Sequence, residues 1–279
     1  MKVTLTKGDK IFLLIFFVVY AVVLIFEVPS VQLPEGIGER WIVDLIPSWG
    51  IMGRVNPMTV IMTWGIIVII LGFTLPIARN FKVVPNRKQA FLEYILNYIY
   101  QSTQDMITQE NLVRPVFSIA ATLFMFIVVS NVLTAFPGVQ IVPTSQGLKV
   151  SLFTDTWYAP TSDLNTNATY AVMVLILSHV FGIKAKGFKK WLKGWFEPTP
   201  LMFPLNLIGE LAKPISHSLR LFGNIMGGGI LVLIVSYLIK YAFLPVFLWG
   251  FFGVFVGIIQ AMVFSLLAIA YISAQVEEG

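Results

Sequence analysis

The stretch Pro204-Leu-Asn-Leu-Ile-Gly-Glu-Leu-Ala-Lys-Pro-Ile-Ser-His-Ser-Leu-Arg-Leu-Phe-Gly-Asn224 decides how this chain is read. Glu210, Lys213, His217, Arg220 and Asn224 follow one another at intervals of 3, 4, 3 and 4. That spacing places them on one stripe of a helix, with Ser216 beside it. The apolar pattern around them runs from Pro200 to Lys240, 41 residues in all. At about 1.5 Å per residue this is roughly 61 Å of helix. A bilayer core is only about 30 Å thick, so such a helix is broken or lies about 60° from the membrane normal. The charge-free stretch 241–276 poses the same problem, at about 54 Å. The expectation is therefore a hairpin of two long, steeply tilted helices, where ordinary spanning helices tilt by about 20°.

Arg220 is the decisive residue within this hairpin. It sits about halfway between Pro200 and Lys240. Placing a guanidinium at that depth costs between about 3 and more than 10 kcal/mol, and it cannot escape the cost by losing its proton. A functional charge in a wet cavity is the default reading. Glu210 is the only carboxylate within either long helix, and its spacing allows it to pair with Lys213 or Arg220. The other members have plainer readings that stay open. Lys213 can snorkel, His217 can be a hydrogen-bonded packing residue, and Asn224 and Gln260 can tie two helices together. Gly223 and Gly227 form one G-x-x-x-G pair and Gly253 and Gly257 another, a pattern that lets helices approach closely.

Composition agrees with a membrane location. Of 279 residues, 57% are hydrophobic and 12% charged, against nearly half and a quarter in soluble domains. Mean hydropathy is +0.83, which excludes a soluble globular enzyme and a disordered chain. There is no cysteine, so no disulfide framework and no thiolate metal site. Further charge-poor runs at 11–26, 55–78, 115–148 and 164–183 bring the expectation to about six membrane helices. The run at 11–26 has a basic flank but no small-residue cleavage site, and is expected as a retained helix rather than a secretory signal. With the N-terminus in the cytoplasm, thirteen lysines and arginines fall inside against four outside. The positive-inside rule thus puts both termini in the cytoplasm.

The fold class expected is an all-α polytopic membrane protein in three parts. Residues 1–54 hold a first helix and an outer loop. Residues 55–197 hold the central helices, an amphipathic cytoplasmic helix over 86–107 with Asn86 and Gln89 as its capping pair, and an irregular outer loop over 137–168. Residues 198–279 are the tilted hairpin. The segment 184–197, with Trp191 and Trp195, reads as an interfacial anchor, and His179 near it as an interfacial residue. Asn167-Ala-Thr is formally a glycosylation sequon, too short to carry weight.

The quoted stretch resembles the signature of subunit a of the F-type ATP synthase, most specifically in Leu219-Arg-Leu-Phe-Gly-Asn224. Val84-Pro-Asn-Arg-Lys-Gln89, Ser130-Asn-Val-Leu-Thr-Ala-Phe-Pro-Gly138, Pro160-Thr-Ser-Asp-Leu-Asn165 and Ile259-Gln-Ala-Met-Val-Phe264 are similar to other patterns of the family. The first fifty residues match nothing diagnostic, and the helix at 11–26 looks like an addition to the commonest five-helix layout. The resemblance implies a stator subunit, not an enzyme on its own, in the plasma membrane beside a ring of c subunits. Peripheral b-type stalk subunits, the rest of the synthase and lipid are the other partners. No nucleic acid, resident metal or tightly bound cofactor is implied. Two offset half-channels would lead Na+ or H+ to the ring carboxylate. Arg220 matches the family's essential arginine, Gln260 its opposing glutamine and Asn224 its neighbouring asparagine. Glu210 and Lys213 match cytoplasmic half-channel positions, and His217 is a further candidate for ion translocation. Asp163, Asn165 and Asn131 match the outer entrance, and Gly223, Gly227, Gly253 and Gly257 the close approach to the rotor.

The chain departs from the family in one respect. Many members carry Glu or His nine residues after the arginine and seven before the glutamine. Here these positions are Gly229 and Gly253. Glycines leave room for water and offer no proton relay, which favours sodium, with the proton as the alternative. The ring's carboxylate, on another chain, decides the ion. Among other classes, a secondary transporter predicts inverted repeats, and none is found. An intramembrane enzyme needs a nucleophile with its base or paired metal ligands, yet His179 and His217 are the only histidines. A purely structural scaffold leaves Arg220 without a reason.

Overall fold

In the computed structural model, residues 43–44, 54–144, 147–197, 199–239 and 243–277 are described. The helix expected over 11–26 lies outside them. A short antiparallel pairing of β1 (Val43–Asp44) with β2 (Arg54–Val55) leads into α1 (Pro57–Arg79). Asn56 caps α1 by accepting from the Met58 N–H at 2.9 Å, and Pro57 occupies the first helical position, where its missing N–H costs nothing. Next come α2 (Arg87–Met106) and α3 (Glu110–Leu133). Asn86 caps α2 through the Gln89 N–H at 2.9 Å, as expected. Gln89 also exchanges hydrogen bonds with the Lys82 backbone, which ties the preceding turn to the helix.

The loop over 137–168 corrects the sequence reading. It is not irregular: β3 (Pro137–Thr144) and β4 (Gly147–Thr156) pair antiparallel, with Ile141 opposite Val150 and Val142 opposite Lys149. Pro137 and Pro143 disfavour a helix here, and the Val, Ile and Thr content of both segments suits strands. A search for charge gaps is blind to that signal. A turn at Pro160–Ser162 then leads into α4 (Leu164–Lys186). Gly187, at φ 82°, makes the left-handed bend that separates α4 from α5 (Phe188–Gly194).

The C-terminal hairpin begins with α6 (Phe203–Ile239), 37 residues without a break and about 55 Å long. Pro214 lies within it. The return run is α7 (Phe243–Gly250), a π-helical turn over Phe251–Val256, and α8 (Gly257–Glu277). Among the described residues five helical runs are long and apolar enough to cross a membrane: α1, α3, α4, Pro200–Leu238 and Phe247–Glu277. The core is where α8 packs on α3 and α4, with Ile127, Val174, Phe264, Ile269 and Ile272 essentially inaccessible. α6 lies against α4, the π turn and α8, so one face of it is left uncovered.

Candidate functional site

The helical stripe divides into an inward and an outward set. His217 turns inward and is 1% exposed. Its Nε2 meets the Phe264 carbonyl at 3.2 Å, and its ring lies 3.6 Å from the Phe264 ring and edge-on to Tyr271. Arg220 turns outward and is exposed, with no ion pair among the described residues. Of the two partners open to Glu210, the structure selects Lys213. Lys213 Nζ donates to Glu210 Oε1 at 2.5 Å, and Gln275 Nε2 on α8 donates to the same oxygen at 2.8 Å.

One turn beyond Arg220, Asn224 Nδ2 donates to Gln260 Oε1 at 2.7 Å, joining the two arms of the hairpin. Gln260 is 5% exposed, and its buried Nε2 has no protein partner. The interhelical reading of this pair is therefore what the side chains do. Around Arg220 the uncovered face is apolar. Leu211, Ile215, Leu219, Ile230 and Ile234 on α6 are each half or more exposed, and Phe247, Phe255 and Ile259 continue the surface on the return arm. Added Cβ atoms at Gly223, Gly227 and Gly229 would meet nothing within 4 Å, so these glycines thin that face from outside.

Gly253 and Gly257 behave differently from Gly223 and Gly227. A Cβ on Gly257 would come 2.9 Å from Asn131 Cβ, and one on Gly253 3.3 Å from Thr134 Oγ1. Both admit α3 of this same chain. A side chain at Gly253 would thus press on the end of α3, whereas the space at Gly229 is open. Gly228 receives Phe252, whose ring would lie 2.9 Å from a Cβ there.

The residues expected at an outer entrance form a connected group. Asn131, 2% exposed, donates from Nδ2 to the Gly257 carbonyl at 3.1 Å and accepts from Thr161 Oγ1 at 2.7 Å. Thr161 is also 3.2 Å from Ser130 Oγ, and Asn167 Nδ2 donates to its carbonyl at 2.7 Å. Asp163 caps α4 through the Asn165 N–H at 3.0 Å and accepts from Thr59 Oγ1 of α1 at 3.2 Å. Asn165 itself is exposed. Thr59 and Gln275 were missed from sequence, and His179 was read only as an interfacial residue, since each gains its partners only by long-range packing. Among the described residues no group of three or more His, Cys, Asp or Glu is set to hold a metal ion.

Together these features define an integral membrane protein of packed spanning helices, one of which offers a long apolar, glycine-thinned face carrying a lone guanidinium. Comparisons with known proteins place that architecture. A family model described as the ATP synthase A chain matches residues 60–273. The chain is 36% identical over 216 residues to the ATP synthase subunit a of Moorella thermoacetica, covering 77% of this chain and 88% of that one. It is 34% identical over 230 residues to the ATP synthase subunit a, sodium ion specific, of Propionigenium modestum, covering 82% and 78%. It is 36% identical over 221 residues to the ATP synthase subunit a of Geobacter sulfurreducens, covering 78% and 86%. The chain belongs to the ATP synthase subunit a family, the non-catalytic membrane stator component of the synthase.

Proposed function

We propose that this chain provides two offset half-channels to the carboxylates of a c-subunit ring, kept apart by Arg220, and so couples ion flow to ring rotation. The observation that carries the reading is the outward placement of Arg220 on an otherwise apolar face thinned by Gly223 and Gly227. A cation exposed at that depth needs an anionic partner from outside the chain. At an effective dielectric near 20, opposite charges about 4 Å apart attract by roughly 4 kcal/mol. Moving one charge through about 100 mV provides about 2.3 kcal/mol. The terms are comparable, so Arg220 helps displace an ion from an arriving carboxylate without trapping the emptied site.

The outer half-channel is assigned to the group around Asp163, Asn165 and Asn131, and the cytoplasmic one to Glu210 and Lys213. Asn224 and Gln260 hold the hairpin together beside Arg220. His217 packs behind that junction and lines the inner wall of the path. Gly223 and Gly227 face the rotor. The distribution of basic residues supports cytoplasmic termini, and the family suggests the plasma membrane with b-type stalk subunits as further neighbours.

Sodium is the ion the chain's own residues favour, because Gly229 offers open space and no titratable relay, and one relative is named sodium ion specific. The proton is the second reading. The test is ATP-driven transport by the reconstituted complex carrying Arg220→Ala, normalised to assembled complex. Coupled transport is expected to vanish. Normal coupled transport would remove the reading. Uptake of radiolabelled sodium separates the two ions, and proton pumping indifferent to sodium over a broad pH range would exclude sodium.

A further inference from the structure

A histidine outside the stripe closes on its one carboxylate. His179, on α4, lies with Nε2 3.7 Å from Glu210 Oε2. That distance is too long for a hydrogen bond from a neutral ring and within ion-pair range. Glu210 Oε1 is already held by Lys213 and Gln275, so Oε2 is the oxygen left over, buried and without a hydrogen-bond partner. The imidazole is fixed in place by two rings from the neighbouring basic segment. Trp191 packs edge-on and Trp195 tilted, each 5.6 Å away between ring centroids. Trp195 is in turn anchored through its carbonyl by Asn206 Nδ2 at 3.0 Å and packs on Phe203. The side chains of His179 and Glu210 are 19% and 13% exposed. The tryptophans thus do more than mark an interface: they hold an imidazole against a half-satisfied carboxylate.

We propose that His179 is a positioning residue for the cytoplasmic half-channel: as imidazolium it draws in Glu210 Oε2 and shuts that oxygen off from the passing cation, and as neutral imidazole it releases it. The inference rests on the assignment of Glu210 to that half-channel. The charged groups facing His179 are Glu210 and Lys213, both from α6; α8 contributes Gln275 and α5 the two tryptophans, none of them charged. Lys213 is a second cation at the cluster, yet it occupies Oε1 and sits over the Tyr271 ring at 5.8 Å, so the two cations do not compete for one oxygen. Imidazole is the side chain whose ordinary charge change falls between about pH 5 and 8, so the device would respond to cytoplasmic acidification.

The test uses the whole synthase in liposomes with its ATP-hydrolysing side outward. ATP-driven ion uptake is read as membrane potential with a voltage-sensitive dye, while external pH is varied at fixed internal pH and sodium. His179→Gln keeps the shape without the charge, and His179→Lys keeps a charge that does not titrate in this range. The wild-type rate divided by the His179→Gln rate should fall roughly tenfold from pH 8 to pH 5.5, equivalent to about 1.4 kcal/mol. His179→Lys should be slow at both pH values. Parallel profiles for wild type and His179→Gln would overturn the proposal, as would Gln and Lys variants equally slowed with the wild-type pH dependence kept, the signature of a merely structural histidine. If His179→Lys does not assemble, the wild-type to Gln ratio alone decides. Glu210→Gln separates the two claims. Normal transport by Glu210→Gln refutes the half-channel assignment itself. Impaired transport there with parallel His179 profiles refutes only the role of His179.

Discussion

Gly257→Ala is the sharpest test of the packing behind the proposed ion path. The added methyl would stand 2.9 Å from Asn131 Cβ, about an ångström closer than carbon atoms prefer. Asn131 has little freedom to give way. Its Cβ is fixed to the α3 backbone, its Nδ2 bonds the Gly257 carbonyl at 3.1 Å, and its Oδ1 accepts from Thr161 at 2.7 Å. Relief therefore means separating α3 from α8, across the buried core of the described residues. Overpacking of this kind costs about 1–3 kcal/mol, and losing one hydrogen bond adds about 1 kcal/mol. The apparent melting temperature should fall by several degrees, at about 2–4 °C per kcal/mol for a chain of this size. The assay is the temperature at which the purified subunit in detergent aggregates, read by size-exclusion chromatography after heating. Gly227→Ala is the matched control, because its methyl meets nothing within 4 Å of this chain. It should leave that temperature unchanged and impair coupled transport, since the proposed rotor face thickens. A Gly257→Ala subunit as heat-stable as wild type would refute the packing argument, and loss of stability in the Gly227→Ala subunit would refute the assignment of an outward face.

Gln260→Leu removes the acceptor for Asn224 and should slow coupled transport less than Arg220→Ala does, because it deletes a dipole and not a charge; transport per assembled complex checks the order. Asn86→Ala, which loses the cap on Gln89 N–H, should destabilise α2 by about 0.5–2 kcal/mol, seen as faster amide exchange over 87–92 with little change in transport. A reporter fused after Lys193 should be active only in the cytoplasm, and one in the β3–β4 hairpin only outside; protease access to 184–197 from the outer face would reverse the orientation.

The sequence by itself was enough for whatever depends on local periodicity and on the solvent. Charge-free runs of spanning length located α1, α3, α4, α6 and the return arm, because a bilayer excludes charge wherever the chain crosses it. The cap on α2 was legible because Asn86 and Gln89 are three residues apart and interact with no help from elsewhere. The stripe from Glu210 to Asn224 was legible for the same reason, but its division was not. His217 and Arg220 lie about 60° apart around the helix, at 100° per residue. That is enough for one to be buried against Phe264 and the other left bare, and only the position of α8 determines where the boundary falls. Two G-x-x-x-G pairs identical in pattern likewise part ways: Gly223 and Gly227 open outward, while Gly253 in the π turn and Gly257 beside it admit α3. His179 and Gln275 stand 31 and 65 residues from Glu210 in sequence and have no periodic relation to it. They reach it because α4 and α8 flank the N-terminal part of α6, and a contact across helices depends on their packing, which no local pattern encodes.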